Sequence, residues 1–403
     1  MDMDCREQIL NEDYADLVVE YTSISQLEDY GYCYSVISNV YATIHVPLVE
    51  LPENYIHSIG LFSNPFCYGL MDIPSTEASG ISELRNIPVL NLRGRGVLIG
   101  IVDTGIDYTH EAFINEDGTS KILSIWDQTI QDGPPPERFN IGTNYIKEQI
   151  SEALESENPF TIVPTMDENG HGTHLAGIAA GNWIEESNYF TGVAPDAEIV
   201  VVKLKGAKEY LKDFYRIPPD ANAYQENDIM LAVSYLLNVS IQYQRPISIC
   251  IGLGTSQGAH DNHGKMSSFL NGIANRNKVA ISVPAGNEGN LGHHYSQTIA
   301  LREQTDTVEL RVGPNEYGFT MELWGYTPNT FAIDILSPTG EYIPRIPARI
   351  NESREIRFIL EDTIVNVDYF LIATESGDQL ILLRFFTSKK LVFTVVSFSA
   401  LMK

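Results

Sequence analysis

The sequence predicts an α/β protein built on a doubly wound parallel sheet, with a small α+β unit before it and an all-β sandwich after it. Three observations carry this. Between Val97 and Gly289, apolar runs of strand length alternate with helix-period segments at least four times, the pattern of a parallel sheet covered on both faces. From about Asp13 to Val49 the chain holds two strand-like runs with room for one short helix between them. From Thr307 onward short β runs follow one another without helices, as in a sandwich. A chain of 403 residues is long enough for this division, and the domains expected are residues 1–69, 70–300 and 301–403.

Taken in order, strands are expected at Asp16–Tyr21 and Ala42–Leu48, with a helix from Ser25 to Tyr30. Prolines, glycines and small residues from Asn64 to Gly80 read as a linker. The glycines of Leu92-Arg93-Gly94-Arg95-Gly96 precede a strand instead of following it, the wrong side for a dinucleotide-binding turn. Val97–Asp103 is that strand. It is apolar throughout, so it is expected to be buried on both faces, and it ends on a carboxylate followed by Gly105. Open α/β sheets place their sites at such carboxyl ends. Lys121–Trp126 is expected as a strand, and Gly133-Pro134-Pro135-Pro136 as part of a polar insertion.

His171 falls in the first turn of a helix rich in small residues: Gly172, Ala176, Gly177, Ala179 and Ala180 are poor generic helix formers but let a helix lie close to a sheet. Ala197–Lys203 is another apolar strand. Ile229, Ala232, Val233, Leu236 and Leu237 recur at helical spacing behind Asp228, which is expected to cap that helix. Strand Ile247–Ile251 runs into Gly252-Leu253-Gly254, a helix is expected from Met266 to Ala274, and strand Val279–Val283 runs into Pro284-Ala285-Gly286-Asn287-Glu288-Gly289.

Charge and cysteine content exclude several classes of function. With 53 acidic against 26 basic residues the net charge is −27, which opposes binding to nucleic acid or an anionic membrane. Neither partner is expected. The amino terminus has no basic region leading into an apolar core, and no run is long and apolar enough to span a bilayer, so synthesis in the cytoplasm is expected. Cys5, Cys33, Cys67 and Cys250 are few and scattered, which fits a reducing compartment and offers no metal-ligand pair.

The chemistry rests on two residues. An imidazole at a helix amino terminus benefits from a carboxylate partner if it is to carry a proton transiently, and Asp103 is the natural partner for His171. His174 lies three residues on with no suitably placed carboxylate, so no zinc site, and no other metal or cofactor, is expected.

The stretches Val102-Asp103-Thr104-Gly105 and Asn169-Gly170-His171-Gly172-Thr173-His174 resemble the aspartate and histidine motifs of the subtilisin-like serine proteases, in that family's order. Pro284-Ala285-Gly286-Asn287 is similar to its asparagine segment. The resemblance implies that Asp103 orients His171, that His171 is general base and then acid, and that Asn287 donates to the oxyanion. It implies that Gly252, Leu253 and Gly254, with Ala285 and Gly286, bind an extended protein or peptide substrate, Gly252 standing where the family has serine. The amino-terminal unit resembles the family's propeptide, which occupies the substrate groove, and a cut is expected between about Phe62 and Leu70. The β region resembles the jelly-roll insertion of clostridial spore-germination relatives, which brings spore association into view. Calcium occurs in some relatives, but no ligand run here places one.

No Gly-Thr-Ser-x-Ala-x-Pro segment, the family's nucleophile signature, occurs in the 403 residues. Gly118-Thr119-Ser120 reads as a turn, and Ser256 in Gly254-Thr255-Ser256-Gln257-Gly258 lacks the helix that a nucleophile elbow requires. The expectation is therefore a serine endopeptidase whose sandwich is cut short and whose serine segment lies outside the chain, inactive as it stands. The alternative is a pseudoprotease that serves as a binding scaffold.

Overall fold

The computed structural model describes residues 4–70, 81, 92–182, 191–289, 291–299, 305–313, 316–350, 352–373, 376–387 and 396–402. The first unit runs α1 (Cys5–Leu10), β1 (Tyr14–Glu20), α2 (Ile24–Asp29), β2 (Cys33–Val36) and β3 (Tyr41–Pro47), its strands antiparallel in the order β1-β3-β2. Both long strands and the helix form within two residues of where the sequence places them. Asp4 closes a capping box on α1, accepting the Glu7 N–H at 2.8 Å. That helix packs beside β2, and Cys5 and Cys33 are joined by a disulfide with Cα atoms 5.4 Å apart. The reading of the cysteines as scattered is corrected for this pair: a spacing of 28 residues conceals that the sheet brings them together.

After α3 (Tyr55–Ile59), the segment expected as a linker forms a short strand, β4 (Cys67–Leu70). The remainder of that expected linker, residues 71–80, lies outside the described residues.

The central sheet contains β5 (Leu98–Asp103), β6 (Ile122–Asp127), β7 (Thr143–Ile146), β8 (Glu198–Lys203), β10 (Ile247–Ile251) and β12 (Val279–Ser282), in the order β12-β10-β5-β8-β6-β7. All neighbours are parallel except β6 and β7. Helices α4 (Lys147–Glu155), α5 (His171–Ala180), α6 (Glu209–Tyr215), α7 (Glu226–Gln242) and α8 (Lys265–Ala274) accompany it, and the two-residue strands β9 (Tyr224–Gln225) and β11 (Leu253–Gly254) stand apart from it.

The strand period of two sorts each strand's residues between two cores. Leu98, Val102, Val200 and Val202 pack with Leu236, Val233 and Met266 from α7 and α8. Ile99, Ile101, Ile199 and Val201 pack with Leu175, Ala176 and Ala180 of α5. Val18, Ile37 and Tyr41 of the first unit join the α7 side.

Asp228 does not cap α7 from outside. Because the helix begins at Glu226, directly after β9, Asp228 lies within its first turn, buried, with the Lys205 ammonium at 2.6 Å.

The β region forms two four-stranded sheets. One has the order β13 (Thr305–Leu310), β20 (Val396–Met402), β15 (Phe331–Leu336), β16 (Tyr342–Ile346). The other has the order β14 (Gly318–Gly325), β19 (Gln379–Thr387), β18 (Thr363–Phe370), β17 (Ser353–Phe358). In the first sheet β20 is paired on both sides, to β13 and to β15. Side chains alternating inward from both sheets, among them Ile333, Ile335, Val365, Val367 and Ile381, make the sandwich core.

Candidate active site

Asp103 is the last residue of β5, and its carboxylate is fully buried. An anion in that position must be hydrogen-bonded. Its Oδ1 accepts the Thr104 amide at 2.7 Å and lies 2.7 Å from Nδ1 of His171, the first residue of α5. With Nδ1–H donating to Asp103, the imidazole is fixed in the tautomer whose lone pair is on Nε2, the arrangement a general base needs.

The helix that carries His171 is placed by residues the sequence reading missed. Asp167 accepts the Gly170 amide at 3.0 Å, the Thr173 amide at 2.9 Å, the Thr173 hydroxyl at 2.6 Å and the Thr104 hydroxyl at 2.7 Å. The Thr104 hydroxyl in turn accepts the Gly172 amide at 3.0 Å. Burial alone would raise the Asp167 carboxyl, but these donors outweigh it and hold the group below its ordinary range. One anion thus satisfies orphan amides at the amino terminus of α5 and ties that terminus to the residue after Asp103. The pattern Asp-x-x-Gly-His-Gly-Thr was legible as an Asx-type turn into a helix.

Gly172 allows the close approach. A Cβ there would lie 2.2 Å from the Gly105 carbonyl oxygen.

The positions expected to face a substrate divide into two groups. Parallel β5, β10 and β12 all end on one rim, so Gly252–Gly254 leave the sheet beside Asp103 and Val283–Gly289 leave it one strand further along. Gly252 touches the pair directly: a Cβ built on it would meet Asp103 Oδ2 at 2.1 Å, Leu175 Cδ2 at 2.8 Å and His171 Cε1 at 3.2 Å. Leu253 is buried in the core, which leaves only its backbone toward the rim. Ala285, Gly286 and Asn287 are exposed on the rim, two strands away from Asp103.

β11 is already paired. Leu253 and Gly254 lie opposite Leu70 and Gly69 of β4, while Tyr68 and Cys67 lie opposite Tyr224 and Gln225 of β9, all antiparallel. The Phe66 carbonyl extends the ladder by accepting the Glu226 amide at 2.9 Å. Residues 67–70 are therefore the middle strand of three, leading to the position next to Gly252. Cys67 is buried with Ala207, Leu211, Tyr215 and Ala223.

No competing nucleophile stands out in this region. Burial, with the nearby Asp103 charge, pushes the Cys250 thiol up to about 11. Ser256 is exposed in a loop, its hydroxyl 3.4 Å from Glu288 Oε2, and the next helix starts only at Lys265. His174 is exposed on α5, and among the described residues no three His, Cys, Asp or Glu side chains are placed to hold a metal ion.

The site is thus framed by a doubly wound sheet that presents an aspartate at a strand end to the first imidazole of a helix rich in small residues. The profile of the subtilase family, peptidase S8, matches residues 94–308, and the chain belongs to that family. It is 31% identical over 135 residues to the subtilisin-like protease SBT1.9 of Arabidopsis thaliana, covering 29% of this chain and 17% of that protein. It is 31% identical over 121 residues to an intracellular serine protease of Paenibacillus polymyxa, covering 29% and 27%. Its fold is similar to that of the Clostridium perfringens CspB protease, with a TM-score of 0.68 and 29% identity over 81% of this chain and 64% of that one. The chain thus spans less than a third of the length of these two curated relatives.

Proposed function

We propose that this chain carries the acid–base pair and the substrate-side walls of a serine endopeptidase. The observation that supports this most is the 2.7 Å contact between His171 Nδ1 and Asp103 Oδ1, beside a rim where a strand already lies paired to Leu253 and Gly254. In this reading His171 Nε2 takes the proton of an attacking serine hydroxyl as its oxygen bonds to the peptide carbonyl. The buried Asp103 carboxylate stabilises the resulting imidazolium. The proton then passes to the leaving amine, and water repeats the sequence to hydrolyse the acyl-enzyme ester. Asn287 supplies a side-chain N–H to the oxyanion.

The amino-terminal unit acts as the propeptide, and β4 is its tail in the groove. The nucleophile belongs to a segment other than these 403 residues, so the chain by itself is inactive.

The test uses the protein completed with a serine segment. His171→Ala is expected to abolish cleavage of a peptide substrate and release of the amino-terminal unit, and undiminished cleavage would contradict the assignment. Labelling of the 403-residue chain by a fluorophosphonate is expected to be negative. If the completed protein also resists labelling, the scaffold reading replaces this one.

A further inference from the structure

The loop that follows β11 is held from outside its own domain. Gly252, Gly254 and Gly258 make the stretch from 252 to 258 intrinsically permissive, and Gly258 has φ +102°, which side-chain-bearing residues rarely adopt. Its own hydrogen bonds are longer: Gln257 N–H to Thr255 Oγ1 at 3.3 Å, the Ser256 hydroxyl to Glu288 Oε2 at 3.4 Å, and His260 Nε2 with the Ser256 carbonyl at 3.1 Å. The shortest bond in the loop comes from the sandwich. The Gly258 amide donates to Glu322 Oε2 of β14 at 2.9 Å, and the same oxygen accepts Trp324 Nε1–H at 2.9 Å.

A carboxylate is a costly choice for that position. Glu322 Oε1 is buried with no hydrogen-bond partner among the described residues, and burial pushes the carboxyl above its ordinary range. A sandwich strand packed only for its own stability would place an apolar residue or an amide there. What the carboxylate provides is an acceptor for the amide that makes the loop's shortest hydrogen bond among the described residues.

The surroundings connect this bond to the groove. Trp324 packs against Phe62 with ring centroids 6.2 Å apart, and the Phe66 ring is the atom group facing Gly258. Phe66 is the residue before β4. The sandwich therefore reaches both the substrate-side strand and the segment paired to it.

We propose that Glu322 is a positioning residue for substrate binding: by accepting the Gly258 amide it holds β11 in register to pair with an extended peptide. This rests on the reading of β11 as the substrate-side strand. The sandwich then acts as part of the groove's wall, through a single acceptor oxygen, without touching substrate.

The experiment is amide hydrogen exchange on the full chain, comparing the parent with Glu322→Ala and Glu322→Gln. The glutamine keeps an acceptor oxygen for Gly258, and the alanine does not. In Glu322→Ala the amides of residues 253–258 and 67–70 are expected to exchange about tenfold faster or more, while β17 and β18 of the same sandwich sheet keep their protection. Glu322→Gln is expected to stay within about twofold of the parent. Unchanged protection at 253–258 in Glu322→Ala would overturn the proposal. So would a loss spread evenly over β14, β18 and β19, the mark of a merely structural role, or equal loss in Glu322→Gln. The underlying substrate reading fails separately: a peptide of the sequence Phe66–Leu70 that does not slow cleavage by the completed protein would sink that reading and leave the exchange result standing.

Discussion

Restoring the family's serine at position 252 is expected to harm this protein. The first side-chain carbon of any residue there would lie 2.1 Å from Asp103 Oδ2 and 2.8 Å from Leu175 Cδ2, against the roughly 3.5 Å of an ordinary contact. Neither neighbour has room to withdraw, since Asp103 is fully buried and held by His171 and Thr104, and Leu175 is packed in the α5 core. Overpacking of this kind costs about 1–3 kcal/mol. If relief comes by displacing the carboxylate, a charge-assisted hydrogen bond worth about 1.5–3 kcal/mol is weakened as well. Gly252→Ala and Gly252→Ser should therefore each destabilise the chain by about 2–4 kcal/mol, part of each term relaxing away. Urea unfolding measures this as a lower midpoint at unchanged slope. A Gly252→Ser protein within about 0.5 kcal/mol of the parent would refute the claim that this strand presses on Asp103.

Three further outcomes follow from other sites. Asp167→Ala removes an acceptor of four hydrogen bonds at the start of α5 and should cost about 2–4 kcal/mol while loosening His171; a change below about 0.5 kcal/mol in urea unfolding would contradict this. Lys208→Met leaves Asp16 of β1, fully buried and 2.9 Å from the Lys208 ammonium, without that cation, and should cost about 3–5 kcal/mol, read as faster proteolysis within residues 14–47; an unaltered digestion rate would count against the pair. Burial alone would raise Asp167, Glu198 and Asp368, but their partners, Thr173 and Thr104, Lys147 and Arg245, and His57 and Arg384, hold all three below their ordinary values. Each then binds fewer protons folded than unfolded, so its contribution is complete above the unfolded pKa of about 4 and is lost as pH falls through the folded value. Thermal stability should fall as the pH is lowered below about 4, and a flat or rising melting temperature there would be inconsistent.

Strands β5, β8, β10 and β12 were legible because they are continuous apolar runs, and a doubly covered parallel strand can be written in few other ways; the edge strand β7, Thr143-Asn144-Tyr145-Ile146, carries no such run and was not foreseen. Asp103 and His171 were legible because each sits at the end of a regular element, Asp103 closing β5 and His171 opening α5. What escaped was short or non-local. The strand Cys67–Leu70 has four residues and no period of its own, and it exists because β9 and β11 flank it. The helix Cys5–Leu10 rests on one capping box, and its disulfide joins positions 28 residues apart. Asp167 was overlooked because a carboxylate in a loop is ordinarily solvated, whereas here four donors converge on it. Glu322 could not have been found from sequence, since nothing local tells a strand's side chain which domain's amide it will meet.

The proposed chemistry depends on one proton. In protein labelled with 15N in its histidine rings, assigned by loss of the signal in His171→Gln, His171 should carry its proton on Nδ1, hydrogen-bonded to Asp103. That resonance should lie far downfield and disappear or shift in Asp103→Asn. An imidazole protonated on Nε2 alone, or a signal indifferent to the Asp103 substitution, would contradict the pairing on which the proposed chemistry is built.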